Sequence, residues 1–373
     1  MIRVLHVLGG LDRGGAESMV MQLYRNIDRS TIQFDFIVHT PQKQAYYQEV
    51  LSLGGKIYHF PAFNGKNFFA MRKLWKRFFE QHPEYTIVHS HVRSYASVYM
   101  PIAKKCGRKT IIHSHSTSNG KSVISAVKYL LQYPLRFQAD YLFACSTESG
   151  KWLYGSRALK KNNYVFLPNG IDIERYRYSK ETANEYRAKL NLQNNFVIGH
   201  VGRFHEAKNH MFLLDIMAEV CHKRSDAMLL LVGDGPQREK IEEKIRKMDL
   251  EQRVILTGSR SDVPELMQAM DVFVFPSLWE GLPVTVVEAQ ASGLPCLVSD
   301  KITKDIDISD LVNRLSINSV SAWSDMLVKM DVARMDVQEQ IRAAGFSVQD
   351  LAWFLRDFYI ELERGNEKES VSK

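Results

Sequence analysis

Short apolar runs of strand length alternate with longer helical stretches along nearly the whole chain, which points to parallel sheets covered by helices. In the first half the predicted strands are residues 3–8, 34–38, 56–58, 87–89, 110–113, 141–144 and 164–167, with helical stretches at 16–26, 46–53 and 67–81. A turn-rich polar segment from Pro168 to Lys180 interrupts the pattern. It restarts with strands at 196–201, 227–231, 253–257, 272–275 and 296–298, and helices at 210–221, 237–248, 264–270 and 284–291. The expectation is an α/β chain of two successive domains, 1–168 and 169–346, joined near 168–190. A length of 373 residues suits two cores of about 150–200 residues. Residues 347–364 read as a terminal helix with Trp353, Phe354, Phe358 and Tyr359 on one face, able to cap the second domain or to cross back to the first.

Apolar residues at 45% and charged residues at 24% describe an ordinary folded soluble protein. No apolar run approaches the roughly 18 residues that a membrane span requires. The start, Met1 to Leu8, lacks a basic leader and a cleavage site, so no signal peptide is expected and it reads as a strand. Cys106, Cys145, Cys221 and Cys296 have no metal-like spacing and read as reduced thiols, which makes the cytoplasm the expected location. The net charge of +7 conceals a split: residues 1–168 hold 23 Lys and Arg against 9 Asp and Glu, a net of +14, and the remainder carries −7. The stretch from Asn67 to Glu80 combines Arg72, Lys73, Lys76 and Arg77 with Phe68, Phe69, Leu74, Trp75, Phe78 and Phe79. That composition suits an anionic membrane surface, but an amphipathic helix whose apolar face packs on its own sheet is the plainer reading, and both hold if only part of the aromatic face is buried. No nucleic-acid motif is present, and nucleic acid is not an expected partner.

Three segments have the composition of ligand loops. Gly9 to Glu17, with Gly14 and Gly15, follows the first strand and opens a helix, where backbone N–H groups and the helix terminus favour a phosphate. It has neither P-loop nor dinucleotide-fingerprint spacing, and a structural tight turn explains it as well. In Gly199 to His210, a strand ends in glycine and Arg203 and Lys208 precede a helix. Two cations there suit a diphosphate, although a solvated basic loop has the same composition. In Pro276 to Ala289, Glu280 lies in a loop and Glu288 eight positions later in the helix that the loop opens. Carboxylates accept hydrogen bonds from sugar hydroxyls, and charge amid apolar and glycine residues is costly unless used.

Taken in order, Gly14-Gly15, Pro168-Asn169-Gly170-Ile171-Asp172, Arg203 with Lys208, and Glu280 with Glu288 resemble the GT-B glycosyltransferases of family 4 over nearly the whole chain. The segments His113-Ser114-His115-Ser116, Ala144-Cys145-Ser146 and Glu288 to Gly293 look especially like bacterial enzymes of exopolysaccharide and capsule assembly. The resemblance implies two Rossmann-like domains facing each other across a cleft, the first binding the acceptor and the second the nucleotide-sugar, with the terminal helix crossing back. It implies that Arg203 and Lys208 bind the donor diphosphate, Glu280 the transferred sugar and Glu288 the ribose. Gly281, Leu282, Pro283 and Val284 would face sugar and phosphates, while Gly14 and Gly15 would approach the phosphate from the first domain. The base would lie near Gly233 and the loop Gly258, Ser259 and Arg260. His115 matches the family's active-site histidine; a two-residue register shift would put His113 there instead, and His91 could line the acceptor side.

Such enzymes transfer with retention of configuration and without a metal or cofactor, using fixed cations where a metal would otherwise stand. Asp305-Ile306-Asp307 has the Asp-x-Asp form of the other large glycosyltransferase fold, but it follows the last predicted strand and reads as an acidic loop. The expected donor is a UDP-sugar and the expected acceptor a saccharide or polyprenyl-linked saccharide, at the inner face of the plasma membrane. A sugar-nucleotide epimerase and a non-catalytic sugar-nucleotide-binding subunit are the alternatives.

Overall fold

The computed structural model describes residues 1–115 and 123–371, with side chains placed for 1–115 and 128–365. The chain forms two compact units: residues 1–170 with 348–373, and residues 171–347.

The first unit holds seven parallel strands: β1 (Ile2–Leu8), β2 (Ile32–Val38), β3 (Ile57–His59), β4 (Ile87–Ser90), β5 (Lys109–Ser114), β6 (Tyr141–Ala144) and β7 (Tyr164–Phe166), in the order β3-β2-β1-β4-β5-β6-β7. The second holds six: β8 (Phe196–Val201), β9 (Ala227–Val232), β10 (Val254–Leu256), β11 (Val272–Phe275), β12 (Cys296–Ser299) and β13 (Val312–Leu315), in the order β10-β9-β8-β11-β12-β13. Counted within its own unit, the second sheet runs 3-2-1-4-5-6, the doubly wound Rossmann order, and the first has the same order with β7 added at its edge. The connectivity reverses between β1 and β4 in one unit and between β8 and β11 in the other. In such sheets ligands bind beyond the carboxyl ends of the strands at that reversal, which is where the glycine-rich and charged loops emerge.

Strand side chains alternate between faces. In β1, Leu5 and Val7 enter one core with Val88 and Ile112, while Val4 and Leu8 enter the other with Ile87 and Ile111. The second core is closed by the helix Gly15–Asn26 and by the terminal helix Val348–Val371, whose Leu351, Ala352, Leu355, Tyr359 and Leu362 are buried there. The terminal helix therefore belongs to the first unit. Its tie to the sheet is polar as well, because His89 Nδ1 lies 2.7 Å from the Tyr359 hydroxyl.

The basic, aromatic-rich stretch forms the helix Phe68–Gln81. Met71, Trp75, Phe78 and Phe79 recur at the helical period and are buried, with Trp75 Nε1 donating to the Tyr95 hydroxyl at 2.5 Å. Of its aromatic residues, Phe69 is the exposed one, at 82%. The helix is thus chiefly a core element whose cations face water.

Elements outside the sequence reading include β13 and the helices Ala96–Lys105, Thr147–Tyr154 and Lys180–Lys189. Pro101 inside the first of these helices breaks the propensity signal. The edge strand β13 is only half-buried along its length and lacks an apolar run.

Candidate active site

In the second unit the loops after β8 and β11 meet. Beyond β8, Gly202 N donates to the Val232 carbonyl and Phe204 N to that of Asp234, both at 3.0 Å, so the buried Phe204 anchors the loop and Arg203 projects outward. Arg203 is exposed and has no ion-pair or hydrogen-bond partner among the described residues. A short 3₁₀ turn, Glu206–Lys208, follows; Asn209 in the left-handed conformation (φ 57°) then redirects the chain into the helix His210–Lys223. The β11 loop is stitched to this turn by Leu278 N donating to the Ala207 carbonyl at 2.8 Å and by Asn209 Nδ2 donating to the Pro276 carbonyl at 3.3 Å.

The stitching brings Lys208 Nζ to 2.7 Å from Glu280 Oε1, with side-chain exposures of 17% and 13%. The ammonium also lies 4.5 Å from the centroid of the Phe275 ring. A Cβ on Gly202 would sit 3.2 Å from Lys208 Cε, so the missing side chain lets the lysine stem lie across the loop. Gly233 is more stringent. Its φ is +144°, and a Cβ there would fall 2.0 Å from the Gly202 carbonyl oxygen. Gly233 N also donates to the Gly258 carbonyl at 2.9 Å, joining the two loops expected around the base. Ser259 follows in that loop, but the Arg260 guanidinium is paired with Asp262 at 2.6 Å rather than left free.

The helix Val284–Ala291 opens at Pro283 without a side-chain cap. Gly281 and Leu282 are half-buried, and Ser277 Oγ and Thr285 Oγ1 on either side of them are buried without a partner. Buried hydroxyls are nearly always paired, so these two mark a place where polar partners belong. Burial raises the Glu288 carboxyl pKa, opposed by a hydrogen bond from the Tyr176 hydroxyl and by the Arg175 charge. Tyr176 and Arg175 come from the turn after Pro168-Asn169-Gly170-Ile171-Asp172, and sequence reasoning missed them. The only signal was their position, immediately after that motif. Asp307 of the Asp-x-Asp segment is held by Arg314 at 2.7 Å.

In the first unit, Gly14 is the N-cap of the helix Gly15–Asn26, and a Cβ on Gly15 would meet open space. A Cβ on Gly14 would meet the Glu17 carboxylate at 2.2 Å, the end of a side chain able to move. The two histidine-bearing strand ends belong to β4, which pairs with β1, and to β5, which pairs with β4. His91 Nδ1 is 2.8 Å from His115 Nε2, and His91 Nε2 is 3.0 Å from His6 Nδ1. His113 stacks on His115 with centroids 4.2 Å apart, and His89 and His113 are 5.4 Å apart. His6, His89 and His113 are buried; His91 and His115 are half-buried. Burial depresses all five, His6 and His115 to about 3, with the Arg93 charge adding to the effect on His115. Two sets of three, His6/His89/His91 and His91/His113/His115, have ring nitrogens within 4.8 Å of one another. Ser116 of the histidine motif lies outside the described residues.

Residues 13–175 match the family description Glycosyltransferase Family 4, and residues 195–330 match Glycosyl transferases group 1. EpsF of Bacillus subtilis is 36% identical over 96% of this chain and 96% of its own. The chain belongs to glycosyltransferase family 4. The UDP-Gal:alpha-D-GlcNAc-diphosphoundecaprenol alpha-1,3-galactosyltransferase of Escherichia coli is 24% identical over 80% of this chain and 79% of its own. Among solved structures, Anabaena Alr3699/HepE in complex with UDP superposes with a TM-score of 0.78, covering 97% of this chain and 100% of that one at 18% identity. That likeness shows the fold, the GT-B arrangement of two Rossmann-like domains.

Proposed function

We propose that this glycosyltransferase moves a sugar from a UDP-sugar, with retention of configuration, to a saccharide or polyprenyl-linked saccharide in cell-surface polysaccharide synthesis. The observation that carries the reading is the Lys208–Glu280 pair, held at the β8/β11 reversal beside the unpaired Arg203. Arg203 and Lys208 meet the diphosphate charge, which grows as the donor bond breaks. Glu280 accepts from hydroxyls of the transferred sugar and Glu288 from those of the ribose. Backbone N–H groups of Gly281 and Leu282 face sugar and phosphate, beside Pro283 and Val284, whose own N–H donates to the Leu282 carbonyl at 3.0 Å. Gly233, Gly258, Ser259 and Arg260 frame the base, and Gly14 and Gly15 address the phosphate from the first domain. The acceptor oxygen bonds to the anomeric carbon on the face that the diphosphate leaves. The electron pair of the breaking bond goes to the departing phosphate oxygen, and the acceptor proton follows it. His115 lines the reacting centre with His91 on the acceptor side, while the fully buried His113 stacks behind His115 rather than facing a substrate. The fixed cations take the place a metal would fill, so no cofactor is required.

Two relatives support the donor and acceptor classes: HepE is solved with UDP, and the Escherichia coli enzyme is named for UDP-Gal and a diphosphoundecaprenol-linked sugar. No helix among the described residues is long and apolar enough to cross a membrane. Peripheral contact with the anionic inner leaflet is carried, in this reading, by Leu130, Tyr133 and Phe137, exposed at 70%, 47% and 66%, beside Lys128, Arg136 and Arg157. The test is nucleotide release from a panel of UDP-, GDP- and ADP-sugars in EDTA, with polyprenyl-linked saccharide acceptors. Acceptor-dependent UDP release is expected. Release only from another nucleotide, or only with added metal, would overturn the reading.

A further inference from the structure

His6, His91 and His115 lie on three adjacent strands or their immediate ends, on the sheet face that carries Val4, Ile87 and Ile111. The His6 and His91 rings are 5.3 Å apart at 12°, and the His91 and His115 rings 5.1 Å apart at 32°. With N···N separations of 3.0 and 2.8 Å, these are edge-to-edge hydrogen bonds and not face stacks. The rings are neutral, so each has one N–H and one lone pair. His91 is bonded at both nitrogens and must donate at one and accept at the other. The two bonds therefore share one direction, and choosing the tautomer of any ring chooses all three.

The ends of the chain select the direction. His6 Nε2 and His115 Nδ1 are both buried without a partner. The His6 ring packs against the Phe34 ring, with centroids 4.1 Å apart, and the negative π cloud beside it tolerates an N–H better than a second lone pair. At the other end the Arg93 charge, which adds to the depression of His115, favours a lone pair over an N–H. Both considerations favour N–H on His6 Nε2, on His91 Nε2 and on His115 Nε2, leaving a lone pair on His115 Nδ1. The partner this atom lacks is a donor, the chemistry of a sugar hydroxyl. We propose that His6 and His91 are positioning residues that hold His115 as the Nε2–H tautomer, presenting Nδ1 as an acceptor for a substrate hydroxyl. The hydroxyl contact rests on the reading of His115 as an active-site residue; the tautomer coupling does not.

The test combines ¹⁵N NMR of the histidine-labelled full chain with kinetics of His91→Leu, His91→Gln and His6→Phe, each checked for folding by thermal melting. In the wild type, His115 should show a protonated Nε2 and a bare Nδ1. His91→Leu removes both bonds and should give a tautomer mixture at His115, with kcat lower by about tenfold to a hundredfold and the donor KM within about threefold. His91→Gln retains a donor and an acceptor and should recover most of both signals. His6→Phe, two rings away, should still shift the His115 tautomer. A His115 spectrum unchanged by His91→Leu, an Nδ1–H form in the wild type, or a stoichiometric zinc ion retained by the cluster would each overturn the proposal. Normal turnover of His115→Asn would instead remove the catalytic reading of His115, while the tautomer shift in His91→Leu decides the coupling on its own.

Discussion

Replacing Lys208 with Met keeps the stem that crosses Gly202 and removes only the ammonium, so its consequences divide cleanly. Glu280, at 13% exposure, loses the cation 2.7 Å away. Breaking a fully buried pair costs about 3–5 kcal/mol and an exposed one about 1 or less. At this intermediate burial the loss is about 1–3 kcal/mol. For a unit of this size that lowers its melting temperature by roughly 3–9 °C. The catalytic loss is separate: removing one preorganised group from developing charge costs about 10²–10³ in kcat. The double variant Lys208→Met/Glu280→Gln separates the two effects, because an amide without a partner is cheaper to bury than a carboxylate. Melting should recover in the double variant while nucleotide release stays at the single-variant level or lower. Release by Lys208→Met within about threefold of wild type would refute the placement of Lys208 at the diphosphate.

Three further outcomes follow from the geometry. Glu288 has a raised pKa in the fold, so the unfolded chain releases that proton first and stability falls as pH rises through the window between the two values. Glu288→Gln should therefore gain in melting temperature relative to wild type at pH 8 but not at pH 4.5, and an equal difference at both would contradict the buried carboxyl. Gly233→Ala forces a Cβ to 2.0 Å from the Gly202 carbonyl oxygen at a φ of +144° and should destabilise by about 2–4 kcal/mol, read by denaturant melting. The histidine cluster works in the opposite sense to Glu288: folded values near 3 for His6 and His115 lie below the unfolded 6.5, so the unfolded chain binds more protons. Stability of the first unit should be full above pH 6.5 and fall on acidification below it. Replacing His113 by Phe should flatten that fall in a pH series of thermal melts.

The two-sheet architecture was legible because buried parallel strands such as Ala227–Val232 and Val272–Phe275 are continuous apolar runs. The half-buried edge strand β13 and the Pro101-containing helix lack that signature, and both went unread. In the candidate site, Arg203, Lys208, Glu280 and Glu288 stand out because charge beside glycine and apolar residues is unusual. The direct Lys208–Glu280 bond spans 72 positions and depends on β8 and β11 being neighbours, which residue spacing does not encode. His6 and His89 were passed over for a similar reason. Each reads as an ordinary strand residue until the order β1-β4-β5 sets it beside His91 and His113. Tyr176, whose hydroxyl opposes the rise of the Glu288 carboxyl pKa, carries no motif of its own.

The most direct measurement of the central claim is a calorimetric titration of UDP into the full chain and into Arg203→Ala. Arg203 is exposed and supports no other described side chain, so its removal leaves folding unchanged. Losing a charged hydrogen bond to the diphosphate should weaken UDP binding by about tenfold or more, with the melting temperature unaltered. Equal affinity in the two proteins would place the diphosphate elsewhere and contradict the account.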